Sequence, residues 1–278
     1  MQKKLIALAI ATAMTVPALA YAEATVYGQA RLSIDNFNDG VVAASASAWQ
    51  LNSNASRLGF KGSEDLGNGL SAVWQMEATV AMDTGTGQDP PHATTAFFDR
   101  NTYLGVKSND FGTVLVGRHD TPYKMSTRNL DLFADTAGDN RSGNGLGGVG
   151  NSGLMSAHDV RLGNVIAYVS PGISGFSIAA AGIFGGEDPL ADSTKGTGYS
   201  LNGTWKSDSF YAALAYQSIK FGTPLTGDLG AGSDLATCDS ATTVCFDDTT
   251  SSFKLGGGWT MDAFTVNAIV EMPSYKVG

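Results

Sequence analysis

Polar and apolar residues alternate one by one along most of this chain, and this period of two limits the fold more than any other feature. Between Thr25 and Asp35 the polar residues occupy odd positions, while Val26, Leu32 and Ile34 occupy even ones. Because successive side chains of a β-strand point to opposite faces, the pattern predicts a strand with one wet and one apolar face. The same alternation recurs toward the C-terminus, which predicts an all-β, antiparallel protein.

Eleven such segments can be counted, and most have the roughly 9–11 residues that a tilted strand needs to cross a bilayer. Their predicted bounds are 24–35, 48–62, 69–82, 97–107, 111–118, 160–169, 175–184, 198–206, 209–219, 252–261 and 263–272. Connections after odd-numbered strands are long, the longest being 119–159, whereas those after even-numbered strands are short turns. A transmembrane barrel explains this difference between its two rims, and a soluble β-sandwich does not.

Composition agrees with a barrel. Only 15% of the residues are charged and 43% are hydrophobic, yet after residue 22 no stretch approaches the ~18 consecutive apolar positions of a membrane helix. In a barrel the apolar face contacts lipid and the polar face lines water. Aromatic side chains placed outward near strand ends are then expected to form interfacial girdles: Trp74, Tyr103, Tyr168, Phe176, Trp205, Tyr216 and Trp259.

The first residues have the features of an export signal. Lys3 and Lys4 precede a short apolar segment, and small residues precede Glu23, which predicts a cleaved signal peptide at 1–22 and a mature chain of 23–278. An uncleaved anchor helix is the alternative, but the apolar segment is short for a bilayer span. The mature chain keeps 15 basic and 26 acidic side chains, a net charge of −11, which argues against nucleic acid as a partner.

The chain has two cysteines, Cys238 and Cys245, in a stretch rich in Ser, Thr and Asp. Export to an oxidising compartment makes a small loop disulfide the simplest interpretation. A metal pair is the alternative, but no histidine is near and two thiolates alone are a poor site. No metal or other cofactor is predicted.

Three motifs resemble those of the general, non-specific porins of Gram-negative outer membranes. They are VYGQAR from Val26, SRLGFKGSEDLGNGL from Ser56 and DRNTYLGV from Asp99, and the resemblance runs from Glu23 to the end of the chain. It implies a sixteen-stranded, homotrimeric transmembrane barrel with the third long loop folded into the lumen as a constriction. That loop corresponds here to 119–159.

The resemblance also implies a row of basic side chains on the barrel wall facing carboxylates on the loop. Asp131 and Asp135 match the acidic region of the loop, and where many relatives have lysine in the first strand this chain has Gln29. The basic positions are Arg31, Arg57, Arg100, Arg118 and, by a looser match, Arg161.

Physical reasoning supports several of these arginines independently, because a charge facing lipid at mid-depth costs roughly 2–4 kcal/mol. Alternation places Arg31, Arg57 and Arg161 on the wet face. Arg118 shares its parity with apolar residues, so it requires a bulge or a turned strand end to point inward. For each arginine, a solvated rim charge or an interstrand ion pair is the alternative.

The expected function is passive diffusion of ions and small hydrophilic solutes across the outer membrane, limited in size and charge by the loop. Lipid and lipopolysaccharide are the expected surroundings. A pore-less barrel that acts as an adhesin or surface-binding protein is the alternative. An enzyme is not expected: Gly145–Gly150 spells a dinucleotide fingerprint but follows no buried strand, and His119 and His158 lack a serine-nucleophile motif.

Eleven strands do not complete the barrel that the resemblance implies. We therefore expect a C-terminally incomplete barrel lacking about five strands, which forms an open sheet with two exposed edges.

Overall fold

The computed structural model describes residues 23–37, 48–84, 97–136, 138–140, 158–184, 197–220 and 246–277. Their strands are β1 (Glu23–Gln29), β2 (Leu32–Phe37), β3 (Ala48–Ser53), β4 (Arg57–Gly67), β5 (Leu70–Thr79), β6 (Thr102–Ser108), β7 (Gly112–Asp120), β8 (Arg161–Val169), β9 (Phe176–Ile183), β10 (Thr197–Lys206), β11 (Phe210–Lys220), β12 (Phe246–Met261) and β13 (Phe264–Val277). A short helix α1 (Pro122–Met125) and a 3-10 helix (Arg128–Leu130) follow β7. Within these ranges, no helix has the length and apolarity needed to cross a membrane.

The strands form one large antiparallel sheet and one small ribbon. The large sheet has eleven strands in the order β1-β4-β5-β6-β7-β8-β9-β10-β11-β12-β13, and β2 pairs with β3 separately. Consecutive strands are neighbours throughout, as expected for hairpin connections. In the described part of the chain β1 and β13 are the two edges of the sheet, so the predicted open, eleven-stranded antiparallel sheet is confirmed.

The first two predicted strands were wrong in one respect, because each is divided in two. The hydroxyl of Ser56 accepts a hydrogen bond from the Arg31 amide at 2.9 Å and donates one to the Arg31 carbonyl at 3.0 Å. Ala55 adopts a positive φ of 51°. These contacts interrupt both strands at the same level, so their outer halves leave the large sheet and pair as the β2–β3 ribbon.

The two faces of the large sheet differ as the alternation predicts. Residues 121–135 contact one face, here named the inner face, and the side chains of Ser200 and Gln217 on it are fully buried. On the other, outer face Leu201, Phe253 and Val266 remain 45%, 49% and 62% exposed. These outer-face side chains therefore do not fill a dry interior.

Tyr103 was wrongly predicted to point outward. Its hydroxyl donates to Gln75 Oε1 at 3.2 Å and its ring lies 5.1 Å from the His119 ring, whereas its neighbour Leu104 is 62% exposed. The inner face also carries an apolar cluster that the alternation did not predict, formed by Leu115, Val165, Ala167, Ala181, Ile183 and Ile219.

Candidate functional site

The segment that follows β7, residues 121–136, lies against the inner face and is named the inner segment. The Thr121 hydroxyl caps α1 at its first turn, and Pro122 begins the helix. The Tyr123 amide donates to Ser200 Oγ at 2.9 Å, and Asn202 Nδ2 donates to the Pro122 carbonyl at 2.6 Å. Two polar residues of β10 thus hold the start of the segment on the wall.

The next turn of the inner segment is held by β11, β12 and β13. The Tyr211 hydroxyl donates to the Ser126 carbonyl at 2.5 Å, and Asn267 Nδ2 donates to the Leu130 carbonyl at 2.7 Å. Leu130 is 4% exposed and packs over Gly256 and Gly258 of β12. The absence of side chains at these glycines provides the space that Leu130 occupies.

The end of the inner segment reaches the opposite side of the sheet. Arg31 Nη1 donates to the carbonyls of Ala134 and Asp135 at 2.9 and 3.1 Å. Arg57 Nη1 lies 3.0 Å from Asp135 Oδ2. The segment therefore contacts β10–β13 at its start and the region of β1 and β4 at its end, and it crosses the inner face between them.

Two of the predicted arginines share one buried carboxylate that the sequence did not reveal as their partner. Arg100 Nε lies 2.5 Å from Glu77 Oε1, and Arg57 Nε lies 3.9 Å from Glu77 Oε2. The Tyr27 hydroxyl donates to Glu77 Oε2 at 2.8 Å. Glu77 is 6% exposed, and this pairing with two cations and a hydroxyl compensates its loss of water.

A second carboxylate, Asp120 at the end of β7, collects three basic groups. Arg161 Nη2 and Lys124 Nζ lie 3.2 and 3.0 Å from Asp120 Oδ1, and Arg128 Nη1 lies 4.0 Å from Oδ2. Arg161 Nε also donates to Asn101 Oδ1 at 2.8 Å. Lys124 and Arg128 belong to the inner segment, so the loop itself contributes positive charge.

Arg118 sits beside a bulge of the kind that its parity required. The pairing of β7 with β8 shifts register between Gly117 and His119, where Gly117 has a φ of 138°. Arg118 Nε donates to the Asp99 carbonyl at 2.6 Å, whereas Val114 and Val116 are exposed on the outer face. The bulge therefore lets Arg118 depart from the direction of Val114 and Val116.

The two predicted loop acids have different surroundings. Burial of Asp135 favours its neutral form, but the hydrogen bond and charge of Arg57, with the charge of Arg128, hold the pKa of Asp135 below its usual range. Asp131 instead accepts hydrogen bonds from the Phe133 and Asn140 amides at 2.8 and 3.1 Å. Asp135 thus meets the wall, while the Asp131 carboxylate binds the backbone of the loop.

The charges differ in their exposure to water. The side chains of Glu77, Asp120 and Asp135 are 8%, 7% and 13% exposed. Arg128 is 33% exposed, and Arg31 is also exposed. The groups that face water in this cluster are therefore mainly cationic.

Sequence reasoning missed Glu77, Asp120, Lys124 and Arg128 as members of this cluster. Alternation already placed Glu77 on the wet face, and the spacing of four between Asp120 and Lys124 was a readable signal. The predicted signal peptide, Cys238, Cys245 and residues 141–157 of the long loop lie outside the described residues.

The sequence of this chain is similar to those of known Gram-negative proteins. The profile described as Gram-negative porin matches residues 7–274. The major outer membrane protein P.IB of Neisseria gonorrhoeae is 29% identical over 227 residues, which are 80% of this chain and 58% of that protein. The chain thus spans less than two thirds of that relative's length.

Solved structures share the fold. The anion-selective porin from Comamonas acidovorans superposes with a TM-score of 0.65 at 21% identity, over 92% of this chain and 69% of that one. The trimer form of OmpT of Vibrio cholerae superposes with a TM-score of 0.59 at 17% identity, over 92% of this chain and 67% of that one. The matched proteins are described as a major outer membrane protein and as porins, and this chain is located in the outer membrane. By its sequence profile and its fold, the chain belongs to the Gram-negative porin family.

Proposed function

We propose that this protein, once its open sheet is closed into a barrel, is a passive diffusion channel for ions and small hydrophilic solutes, narrowed by the loop 119–159. The observation that carries the proposal is the path of the inner segment, which is anchored to Ser200 and Asn267 on one side and to Arg31 and Arg57 on the other. A segment held across a water-lined face limits the size of what passes. The electric field of the charged groups on either side of the inner segment acts on each permeating ion.

The channel prefers anions in this proposal. Glu77, Asp120 and Asp135 are largely covered by the basic groups that neutralise them, whereas Arg31 and Arg128 face water. The positive groups therefore dominate the field that a permeating ion meets, even though the whole chain is acidic. The similarity in fold to an anion-selective porin supports the same preference.

The surroundings of the channel follow from its outer face and from its relatives. Residues 1–22 act as the cleaved export signal, and the exposed apolar side chains of the outer face contact lipid and lipopolysaccharide. A homotrimer is the proposed assembly, supported by the trimer form of OmpT.

The test is conductance of the full-length protein, purified from outer membranes and inserted into planar bilayers. Stepwise current increases with a reversal potential of anion-selective sign are expected in a salt gradient. Arg31→Ala removes an exposed cation from the rim of the cluster, and it is expected to move the reversal potential toward cations. Lys107→Ala is the matched control, because Lys107 is exposed on β6 near a short turn and outside the cluster.

Two outcomes would contradict the proposal. Membranes that show no stepwise conductance favour the surface-binding alternative over a channel. A cation-selective wild type would leave the channel in place but overturn the argument from exposed charge.

A further inference from the structure

A second group of charges lies beneath the inner segment, away from the arginines. Lys254 of β12 is 1% exposed. Its Nζ contacts Asp159 Oδ1 and lies 2.6 Å from Glu271 Oε1. Lys254 and Glu271 are register partners in adjacent strands, so one carboxylate comes from the wall and the other from the end of the long loop.

The same lysine also touches the beginning of the long loop. Its Nζ lies 4.2 Å from the centroid of the Tyr123 ring, an arrangement that favours the cation. The Tyr123 hydroxyl shares a hydrogen bond of 2.7 Å with Ser252 Oγ, two residues before Lys254 on the same face. Residues 123 and 159, which are far apart along the loop, therefore meet at one ammonium group.

Neighbouring contacts reinforce this meeting point. The Tyr123 and His158 rings lie 5.8 Å apart, and Gln217 Nε2 of β11 donates to the His158 carbonyl at 2.9 Å. Both ends of the loop are thus in contact with each other and with β11 and β12. The loop leaves the wall and returns to it through one buried cluster.

The energetics make this cluster depend on the loop. A buried ammonium is tolerated only when opposite charges and hydrogen-bond acceptors surround it. Without Lys254, the carboxylates of Asp159 and Glu271 lose the cation between them and repel each other. Displacement of the loop takes away Asp159 and the Tyr123 ring, which are two of the three partners of Lys254.

We propose that Lys254 is the positioning residue of the pore: it pins both ends of the loop 119–159 to β12 and so determines how far the loop reaches across the lumen. This inference rests on the proposed channel function. Lys254 is buried and contacts no permeating solute, and it acts through Asp159 and Tyr123.

The test uses single-channel recordings of the protein purified from outer membranes. Asp159→Asn removes the loop's charge from the cluster and changes no strand residue. It is expected to lose the single stable current level and to show frequent transitions among several levels. Asp110→Asn is the matched control, because Asp110 is exposed in the short turn between β6 and β7, outside this cluster, and it is expected to retain the stable level.

Substitutions of the lysine complete the test. Lys254→Met is expected to resemble Asp159→Asn, and Lys254→Arg to restore the stable level because it keeps the charge. Lys61→Met removes another lysine, located on β4, and is expected to keep the stable level. If Lys254→Met fails to insert, the comparison of Asp159→Asn with Asp110→Asn still decides.

The outcomes separate this inference from the function itself. A stable wild-type-like current level in Asp159→Asn and in every inserting Lys254 variant would overturn the positioning role while the channel stands. Equal instability in Asp110→Asn and Asp159→Asn would also overturn it, since loss of a carboxylate outside the cluster would then have the same effect. A wild type without conductance would refute the channel function instead.

Discussion

The inner face of the sheet has two sides with opposite arrangements of charge. On one side several cations surround each carboxylate, and on the other a single buried cation lies between carboxylates. On the arginine side, formed by β4–β8 and by Arg100 just before β6, basic groups gather around Glu77 and Asp120. On the loop-binding side, β10–β13, neutral groups such as Asn202 and Asn267 hold the inner segment, and the buried Lys254 is matched by carboxylates.

The comparison teaches that polarity on a barrel's inner face has two separate uses. On the loop-binding side, side-chain donors form hydrogen bonds with backbone carbonyls of the inner segment. They hold the segment in place and are then no longer available to bind a permeating solute. Guanidinium groups carry five donors each, so those of the arginine side can pair with carboxylates and still attract ions. Substitutions on the two sides should therefore change different measured properties.

The largest effect is expected from Gly256→Leu on the loop-binding side. A Cβ at Gly256 would lie 2.7 Å from both Leu130 Cδ1 and Thr127 Cγ2, so a full leucine side chain cannot fit beneath the inner segment. Overpacking of this kind costs about 1–3 kcal/mol in the free energy of unfolding, and the segment is expected to move away with loss of the stable conductance level. Thermal denaturation and single-channel recording measure the two effects.

Gly257→Leu is the matched control for that change. A Cβ at Gly257 meets no atom within 4 Å, because this residue alternates with Gly256 and faces the other way. Conductance of this variant should equal that of the wild type. The packing explanation would be abandoned if the two leucines had the same effect.

Arg57→Ala is expected to have the next largest effect, and on selectivity. It removes the ion pair with Asp135 and leaves that carboxylate less neutralised, so the reversal potential should move toward cations. Loss of a charged hydrogen bond of this kind also lowers the free energy of unfolding by about 1.5–3 kcal/mol.

Asp131→Ala sharpens the same comparison. Its carboxylate accepts hydrogen bonds from the Phe133 and Asn140 amides, so its removal should loosen the segment with a smaller shift in reversal potential than Arg57→Ala. Unaltered selectivity in both variants would refute the proposed constriction.

A smaller effect is expected from acid. Burial raises the pKa of Asp135, but the hydrogen bond and charge of Arg57 and the charge of Arg128 outweigh it, so the pKa is lowered. Ionised Asp135 therefore stabilises the fold at pH values above its usual pKa of about 4. This stabilisation is lost as the pH falls through the lowered pKa. Selectivity should be constant from neutral pH to about 4, and anion preference should rise only below that. In Arg57→Ala the transition should shift to higher pH, as reversal potentials across a pH series would show; an unshifted transition would argue against the pairing.

The smallest effect is expected from Asn202→Ala. The variant removes one neutral hydrogen bond to the Pro122 carbonyl, worth about 1 kcal/mol, and leaves every charge in place. Denaturation should register the loss while the reversal potential stays constant. A shift as large as that of Arg57→Ala would erase the distinction between the two sides.

Much of the sheet was predictable because alternation is a local property. The hairpin β10–β11 pairs Trp205 with Ala212 and Leu201 with Tyr216, within the predicted strands and faces. The break between β1 and β2 was not predictable, because it depends on the hydroxyl of Ser56 reaching the backbone of Arg31, 25 residues earlier. The face of Tyr103 was also not predictable, because a tyrosine side chain can lie either toward lipid or on the polar inner face.

The candidate site was predicted in its basic half and only partly in its acidic half. Alternation and motif resemblance both pointed to Arg57, because a charge has one acceptable face in a membrane strand, whereas Arg100 was predicted from the motif resemblance alone. Their pairing with Glu77 depends on the register between neighbouring strands and on rotamers, which one sequence does not specify.

By itself, the sequence determined the face of most polar and charged side chains and that the chain is a porin-type sheet, since period and polarity are read residue by residue. Only the tertiary structure decided where the inner segment lies and which charges it covers. Asp131 and Asp135 are alike in sequence, yet one binds loop amides and the other meets Arg57. The reason is physical: a contact between distant residues is selected by the whole packed arrangement, in which each buried charge must find its partner.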